Sequence, residues 1–193
     1  MKKTVLSVLA ACMLMGCAPA EKEEEQKAVI TNDVLFNSKP ADLSNYQFLP
    51  EETGDFEEIT FREALRFFTE EGSGILYFGY DTCYWCNRAI PELNTVVMEY
   101  GVPVYYVDTH GNFTMEEVEA LLPYIEETFI TNKDGEPEFF VPEVIGIKKG
   151  KITGSHISLV KSFNGTKEED QLTDAEKEEL REFYREIILA TAD

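Results

Sequence analysis

The stretch GILYFGYDTCYWC, residues 74–86, decides how the rest of the chain is interpreted. Its first part, Ile75 to Phe78 between two glycines, is a continuous apolar run of the kind found in a central strand covered on both faces. Its second part holds Cys83 and Cys86, spaced CxxC, where the strand gives way to a stretch that reads as helix. The N–H groups and dipole of a helix N-terminus stabilise a nearby thiolate. The pair is therefore predicted to be redox-active.

The N-terminus has the pattern of a bacterial lipoprotein signal. A positive start is followed by an apolar run over residues 5–15, too short for a confident membrane span, and then by LMGC at positions 14–17. This tetrapeptide resembles a lipobox, which predicts a signal peptide over residues 1–16 and lipidation of Cys17. The alternative is ordinary secretion, with cleavage near residues 18–20.

The remaining chain divides in two. Residues 17–55 are predicted to be a lipid-anchored, charge-rich tether and an N-terminal arm, and residues 56–193 the folded domain. Cys12 leaves with the signal and Cys17 carries lipid. The other two cysteines are then the only thiols of an extracytoplasmic protein anchored to the cell membrane, where disulfides persist.

Composition narrows the range of partners. The chain has 193 residues, a net charge of −20 and an isoelectric point near 4.4. Such a charge repels nucleic acid and anionic lipid surfaces, so nucleic acid is excluded as a partner and the membrane is reached through the lipid alone. An apolar fraction of 44% and an aromatic fraction of 12% fit one globular domain.

The order of predicted elements indicates an α/β fold. Strands separated by helices and followed by a hairpin give a mixed central β-sheet with helices on both faces. Capping-box patterns begin three of the helices. The predicted helices are 60–72, 83–100, 114–129 and 173–189, and the predicted strands are 75–78, 102–107, 144–147 and 151–157, with a short strand or helix entry at 57–60.

These features resemble the thioredoxin superfamily over roughly residues 60–190. The CxxC lies between a strand and a helix, Pro91 follows Cys83 by eight residues, and Val141-Pro142 directly precedes the hairpin. Within the superfamily, FGYDTC at residues 78–83 looks most like bacteriocin transport accessory proteins of Gram-positive bacteria.

The resemblance implies roles for individual residues. Cys83 is the attacking nucleophile, partly exposed at the first turn of its helix, and Cys86 is the more buried resolving thiol. No dissociable cofactor is needed beyond the Cys83–Cys86 disulfide. Pro142 is a candidate cis-proline that turns the backbone of Val141 toward an incoming substrate, and Tyr84 and Trp85 contact that substrate.

Other interpretations of the cysteine pair are a structural disulfide or half of a zinc site. Zinc needs about four ligands, and His110 and His156 are not at ligand spacing from the cysteines, so no metal site is predicted. One departure from the superfamily is Tyr77, which stands where many thioredoxins bury a carboxylate and is a poor base at neutral pH. The dipeptide between the cysteines carries no positive charge, which predicts a less oxidising disulfide.

The predicted function is an extracytoplasmic thiol-disulfide oxidoreductase acting on exported proteins or peptides that contain thiols or disulfides. A separate redox partner, not identified by the sequence, would reset the pair. The alternative is a non-catalytic accessory or binding protein for bacteriocin export or immunity. The direction of electron flow stays open at this level.

Overall fold

A computed structural model describes residues 27–193. The predicted signal peptide and Cys17 lie outside these residues. Within the described residues, eight strands and four α-helices form the fold. The strands are β1 (Lys39–Pro40), β2 (Phe56–Glu58), β3 (Gly74–Gly79), β4 (Val104–Asp108), β5 (Ile130–Thr131), β6 (Pro137–Glu138), β7 (Glu143–Lys148) and β8 (Lys151–Ile157), and the helices are α1 (Phe61–Thr69), α2 (Cys86–Tyr100), α3 (Met115–Ile125) and α4 (Asp174–Thr191).

A six-stranded mixed sheet runs through the centre, in the order β1-β2-β4-β3-β7-β8. β2, β4 and β3 are parallel, whereas β7 runs antiparallel to β3 and β8 antiparallel to β7. Helical crossovers connect the parallel strands, and a tight turn connects β7 to β8. Lys149 and Gly150 both have positive φ in that turn, 50° and 71°, as a two-residue hairpin requires.

Helices cover both faces of this sheet, so the predicted α/β class and thioredoxin-like fold are confirmed. α2 and α4 pack on one face around a cluster that includes Tyr77 and both cysteines. α1 and α3 pack on the other face around a cluster that includes Phe67 and Phe78. All six residues of β3 are buried, which explains why its sequence is apolar without alternation.

Local capping explains where three of the helices begin. Thr114 and Thr173 form complete capping boxes with Glu117 and Glu176. In each box the threonine oxygen accepts the N–H of the third helical residue, whose carboxylate accepts the threonine N–H. Thr60 caps α1 only in part, by accepting the N–H of Glu63.

The sequence placed two features differently from the structure. α2 begins at Cys86, so Cys83 lies in the turn before the helix and not in its first turn. The two-residue strands β1, β5 and β6 were not predicted, because each depends on pairing with a partner strand and has no periodicity of its own. Within residues 27–193, no helix is both long enough and apolar enough to cross a membrane.

Candidate active site

The cysteine pair and the Val141-Pro142 dipeptide meet at one end of the sheet. Cys83 follows the end of β3 after a short turn, and Pro142 directly precedes β7. Phe78 pairs with Glu143 across the antiparallel β3–β7 ladder, which brings the two segments to the same edge. The Val141–Pro142 peptide bond is cis. Val141 packs against the apolar cluster that contains both cysteines.

Both cysteines are free thiols, and they differ in environment. Cys83 is 6% exposed, less than the sequence predicted, and Cys86 is fully buried. The backbone N–H of Cys86 donates to Sγ of Cys83 over 3.1 Å. This is an orphan donor of the first turn of α2, pointed at the sulfur that the helix N-terminus can stabilise.

The pKa values of the two thiols are shifted in opposite directions. The pKa of Cys83 is lowered from its usual 9.0 to about 7, first by a hydrogen bond from the Cys86 side chain and then by the N–H groups of Cys86 and Trp85, while burial opposes the change. Burial, followed by interaction with Cys83, raises the pKa of Cys86 far above its usual value. As the pH rises through about 7, the pair therefore comes to hold a Cys83 thiolate beside a protonated Cys86.

Tyrosines lie around the buried thiol. Tyr77 is fully buried, and its ring stacks on Tyr106 with centroids 5.8 Å apart. The hydroxyls of Tyr106 and Tyr46 share a hydrogen bond of 3.2 Å. The Tyr77 hydroxyl has no partner of normal hydrogen-bond geometry among the described residues. Burial raises the pKa of Tyr77 well above 10, so it does not act as a base at neutral pH.

Asn87, which sequence reasoning missed, braces the turn that carries Cys83. Its side-chain amide donates to the carbonyl of Cys83 over 3.0 Å and to the carbonyl of Asp81. Its side-chain oxygen accepts the N–H of Gln47 over 2.6 Å. The N-terminal arm is thereby tied to the CxxC through one buried amide.

Arg88 is the second residue that the sequence did not reveal, and it is only 3% exposed. Its guanidinium donates to the carbonyl of Tyr84 and to three carbonyls of the loop between β8 and α4, those of Lys167, Glu168 and Asp170, over 2.6–3.3 Å. It also lies 3.6 Å from the centroid of the Tyr84 ring. Arg88 thus fastens the β8–α4 loop to the CxxC dipeptide.

The two dipeptide residues lie in different settings. Tyr84 is held under the Arg88 guanidinium, and its hydroxyl is buried without a partner among the described residues. Trp85 is 39% exposed and meets Phe163 of the β8–α4 loop edge-on, with centroids 5.8 Å apart. Trp85 is therefore the dipeptide side chain available to an incoming molecule.

Glu143 follows the cis bond directly and is completely buried. Both carboxylate oxygens lack a hydrogen-bond partner of normal geometry within residues 27–193. Burial raises the pKa of Glu143 from 4.5 to about 8, and the Thr128 side chain opposes that rise. It shares a strand face with Ile145 and packs away from the cysteines. The chain has many acidic residues, and nothing in the sequence distinguishes Glu143 from the exposed ones.

Neither histidine joins the site. His110 is exposed and stacks on Tyr80, and His156 stacks on Phe183 of α4 with ring centroids 4.4 Å apart. No group of three His, Cys, Asp or Glu side chains in residues 27–193 is arranged to hold a metal ion.

Comparisons with known proteins add one structural likeness. No protein-family model matches the chain, and no curated protein matches it. Among solved structures, the crystal structure of thioredoxin from Aeropyrum pernix is 22% identical, with a TM-score of 0.37. That match covers 52% of this chain and 73% of the thioredoxin.

Proposed function

We propose that the protein is a thiol-disulfide oxidoreductase in which Cys83 attacks and Cys86 resolves. The observation that carries the proposal is the split acidity of the pair, with a pKa of about 7 at Cys83 beside a strongly raised pKa at Cys86. A thiolate forms where the nucleophile is needed, and the second thiol stays protonated until a mixed disulfide exists.

The exchange needs no dissociable cofactor. The Cys83 thiolate attacks one sulfur of a substrate disulfide, forming a mixed disulfide and releasing the other substrate sulfur as a thiolate. Cys86 then loses its proton and attacks Sγ of Cys83, which frees the second substrate thiol. The substrate gains two electrons, and the protein is left with the Cys83–Cys86 disulfide. A separate dithiol partner returns the pair to its thiols, and the same steps in reverse oxidise a substrate dithiol.

The pKa of Cys83 indicates a disulfide whose reduction potential lies toward the reducing end of the range found for such motifs. Comparable motifs have nucleophile pKa values from about 3.5 in strong oxidants to about 7 in thioredoxin. A less stabilised thiolate makes the disulfide a weaker oxidant. Arg88 lies beside the dipeptide, but its guanidinium donates to backbone carbonyls, including that of Tyr84. Trp85 and the backbone of Val141 beside cis Pro142 are the proposed substrate contacts, whereas Tyr84, also predicted to contact substrate, is held under the Arg88 guanidinium.

The proposed setting is the outer face of a bacterial membrane, with Cys17 carrying the lipid and exported proteins or peptides as substrates. The LMGC sequence at residues 14–17 supports this setting. The narrower likeness to bacteriocin transport accessory proteins belongs to the same proposal.

A second candidate is a binding protein that holds a peptide on this surface without turnover. The observation that favours it is Tyr77, which interacts with Cys86 but has a pKa raised well above 10 and so cannot accept the Cys86 proton at neutral pH. Turnover separates the two candidates. A chain with Cys12 and Cys17 replaced by serine is tested for dithiol-dependent reduction of insulin and for refolding of a reduced disulfide protein. Activity in either supports the oxidoreductase. Inactivity in both, with partner binding kept by Cys83→Ser/Cys86→Ser, supports the binding protein.

A further inference from the structure

A groove leads away from the dithiol on the side of Trp85. Its volume is about 790 Å³. It runs between the outer edge of β8 and the side of α4, with the β8–α4 loop as one wall. Its lining includes the aromatic rings of Trp85, His156, Phe163 and Phe183 and the side chain of Ile130.

This groove begins at Trp85 of the CxxC dipeptide and is separate from the cis-proline. Trp85 lies between the two cysteines in sequence and also lines the groove. Neither Val141 nor Pro142 lines it. A polypeptide whose sulfur reaches Cys83 can therefore extend past Trp85 without using the backbone beside Pro142.

The lining is mainly apolar, with some polar side chains such as Thr128 and Ser155, and it has no net charge in an acidic protein. Trp85, Ile130 and Phe183 are 39%, 46% and 37% exposed there, which brings three exposed large apolar side chains onto one surface. Lys161 and Glu179 are the charged side chains of the lining and offset each other. Such a surface favours apolar side chains, because aromatic and aliphatic side chains supply most of its contact area and its two charges cancel in net charge.

The groove is also preformed. Arg88 holds the loop wall through three backbone carbonyls, and Phe163 of that wall packs on Trp85. On the opposite side, β8 is the last strand of the sheet, so alternate backbone groups of Ser155 to Ile157 face outward without a strand partner in the described sheet. An edge strand beside apolar pockets suits an extended peptide.

We infer that this groove binds an extended, apolar segment of the polypeptide whose cysteine exchanges with Cys83. The inference rests on the proposed function, which brings such a polypeptide to Trp85. The inference defines the class of substrate. Preferred cysteines lie next to aromatic and aliphatic residues, as in unfolded or newly exported chains. Cysteines flanked by acidic or small polar residues are not preferred.

Peptide binding tests the inference without thiol chemistry. Trp85 is the only tryptophan of the chain, so its fluorescence reports occupation of the groove. The probes are two peptides of about ten residues with serine in place of cysteine, one flanked by Leu and Phe and the other by Ser and Gly. The full chain is expected to bind the apolar peptide at least about tenfold more tightly, equivalent to about 1.4 kcal/mol.

Two groove variants and one matched control identify the surface. Phe183→Ser and Ile130→Ser, each replacing an exposed side chain, are expected to weaken binding of the apolar peptide about tenfold. Leu189→Ser is the control, because Leu189 is 52% exposed on the same helix as Phe183 but does not line the groove. Its binding is expected to match that of the unaltered chain.

Several results overturn the inference. These are equal affinity for the two peptides, unchanged binding in both groove variants, or a Trp85 signal that follows self-association of the chain in sedimentation. Failure here is distinct from failure of the proposed function. If the protein reduces insulin but does not prefer the apolar peptide, only the inference about the groove is wrong. If it binds the apolar peptide selectively but does not exchange disulfides, the proposed oxidoreductase function is wrong and the inference about the groove stands.

Discussion

Replacement of the buried Glu143 by glutamine is expected to change how stability depends on pH. The folded protein holds a proton on this carboxyl up to about pH 8, whereas the unfolded chain releases it near the ordinary value of 4.5. Between those values the folded state binds more protons than the unfolded state, so stability falls as pH rises. Above about pH 8 both states are ionised, and this contribution to the slope disappears.

The size of the effect follows from the same two values. A rise from 4.5 to about 8 corresponds to a loss of at most roughly 5 kcal/mol, since one pKa unit equals about 1.36 kcal/mol. Solvent screening reduces this figure only slightly, because the Glu143 side chain is buried. Glu143→Gln removes the ionisation, so the variant is expected to gain stability relative to the unaltered chain as pH rises, up to a plateau above about pH 8.

Urea denaturation of the reduced protein at several pH values measures the difference. Glu119→Gln is the control, because Glu119 is an exposed acid on α3. Cys83, whose pKa is lowered, contributes stability that grows as pH rises through about 7, but it does so equally in all three proteins. Parallel curves for Glu143→Gln and the unaltered chain between about pH 5 and about pH 9 refute the reasoning.

Three further changes test the geometry of the site. Cys86→Ala removes the hydrogen bond that most lowers the pKa of Cys83, so the midpoint of its alkylation rate against pH is expected to move from about 7 toward 9. Gly79→Ala places a Cβ 2.8 Å from the Tyr77 ring and is expected to cost about 1–3 kcal/mol in urea denaturation. Arg88→Lys cannot satisfy four carbonyls and is expected to cost about 1–3 kcal/mol and to speed amide exchange in the β8–α4 loop.

For each of these three predictions, a particular result would contradict the expected effect. An alkylation midpoint that stays at about 7 in Cys86→Ala means that the helix N-terminus alone sets the acidity of Cys83. For the glycine, Gly154→Ala is the matched control, because a Cβ there meets Ile187 at an ordinary 3.4 Å. Equal stability of the two alanine variants argues against close packing of Tyr77. Unchanged exchange in Arg88→Lys shows that other contacts hold the loop.

The elements that the sequence predicted well are those with local causes. Thr114 and Thr173 begin their helices through contacts within four residues, and β3 is buried along its whole length. Such causes are visible in a short window. The turn between β7 and β8 is another example, since Lys149 and Gly150 alone account for it.

The parts that the sequence did not reveal depend on distant residues. Arg88 resembles an ordinary surface cation of a helix until carbonyls about 80 positions away surround its guanidinium. Glu143 resembles the many exposed acids of the chain, and only its place between β3 and β8 buries it. Cys83 is less exposed than expected, and it belongs to a buried cluster that the arm residues Leu43 and Tyr46 also join.

The most direct test of the central claim is the fate of Cys83 after one exchange with an aromatic disulfide reagent. In a chain with Cys12 and Cys17 replaced by serine, the reduced pair is expected to release two thiolates of the reagent and to end as an internal disulfide without adduct. The Cys86→Ser variant is expected to release one thiolate and to keep the other half of the reagent on Cys83. A stable adduct on the unaltered pair, or attachment to Cys86 in preference to Cys83, contradicts the assignment of Cys83 as nucleophile and Cys86 as resolving thiol.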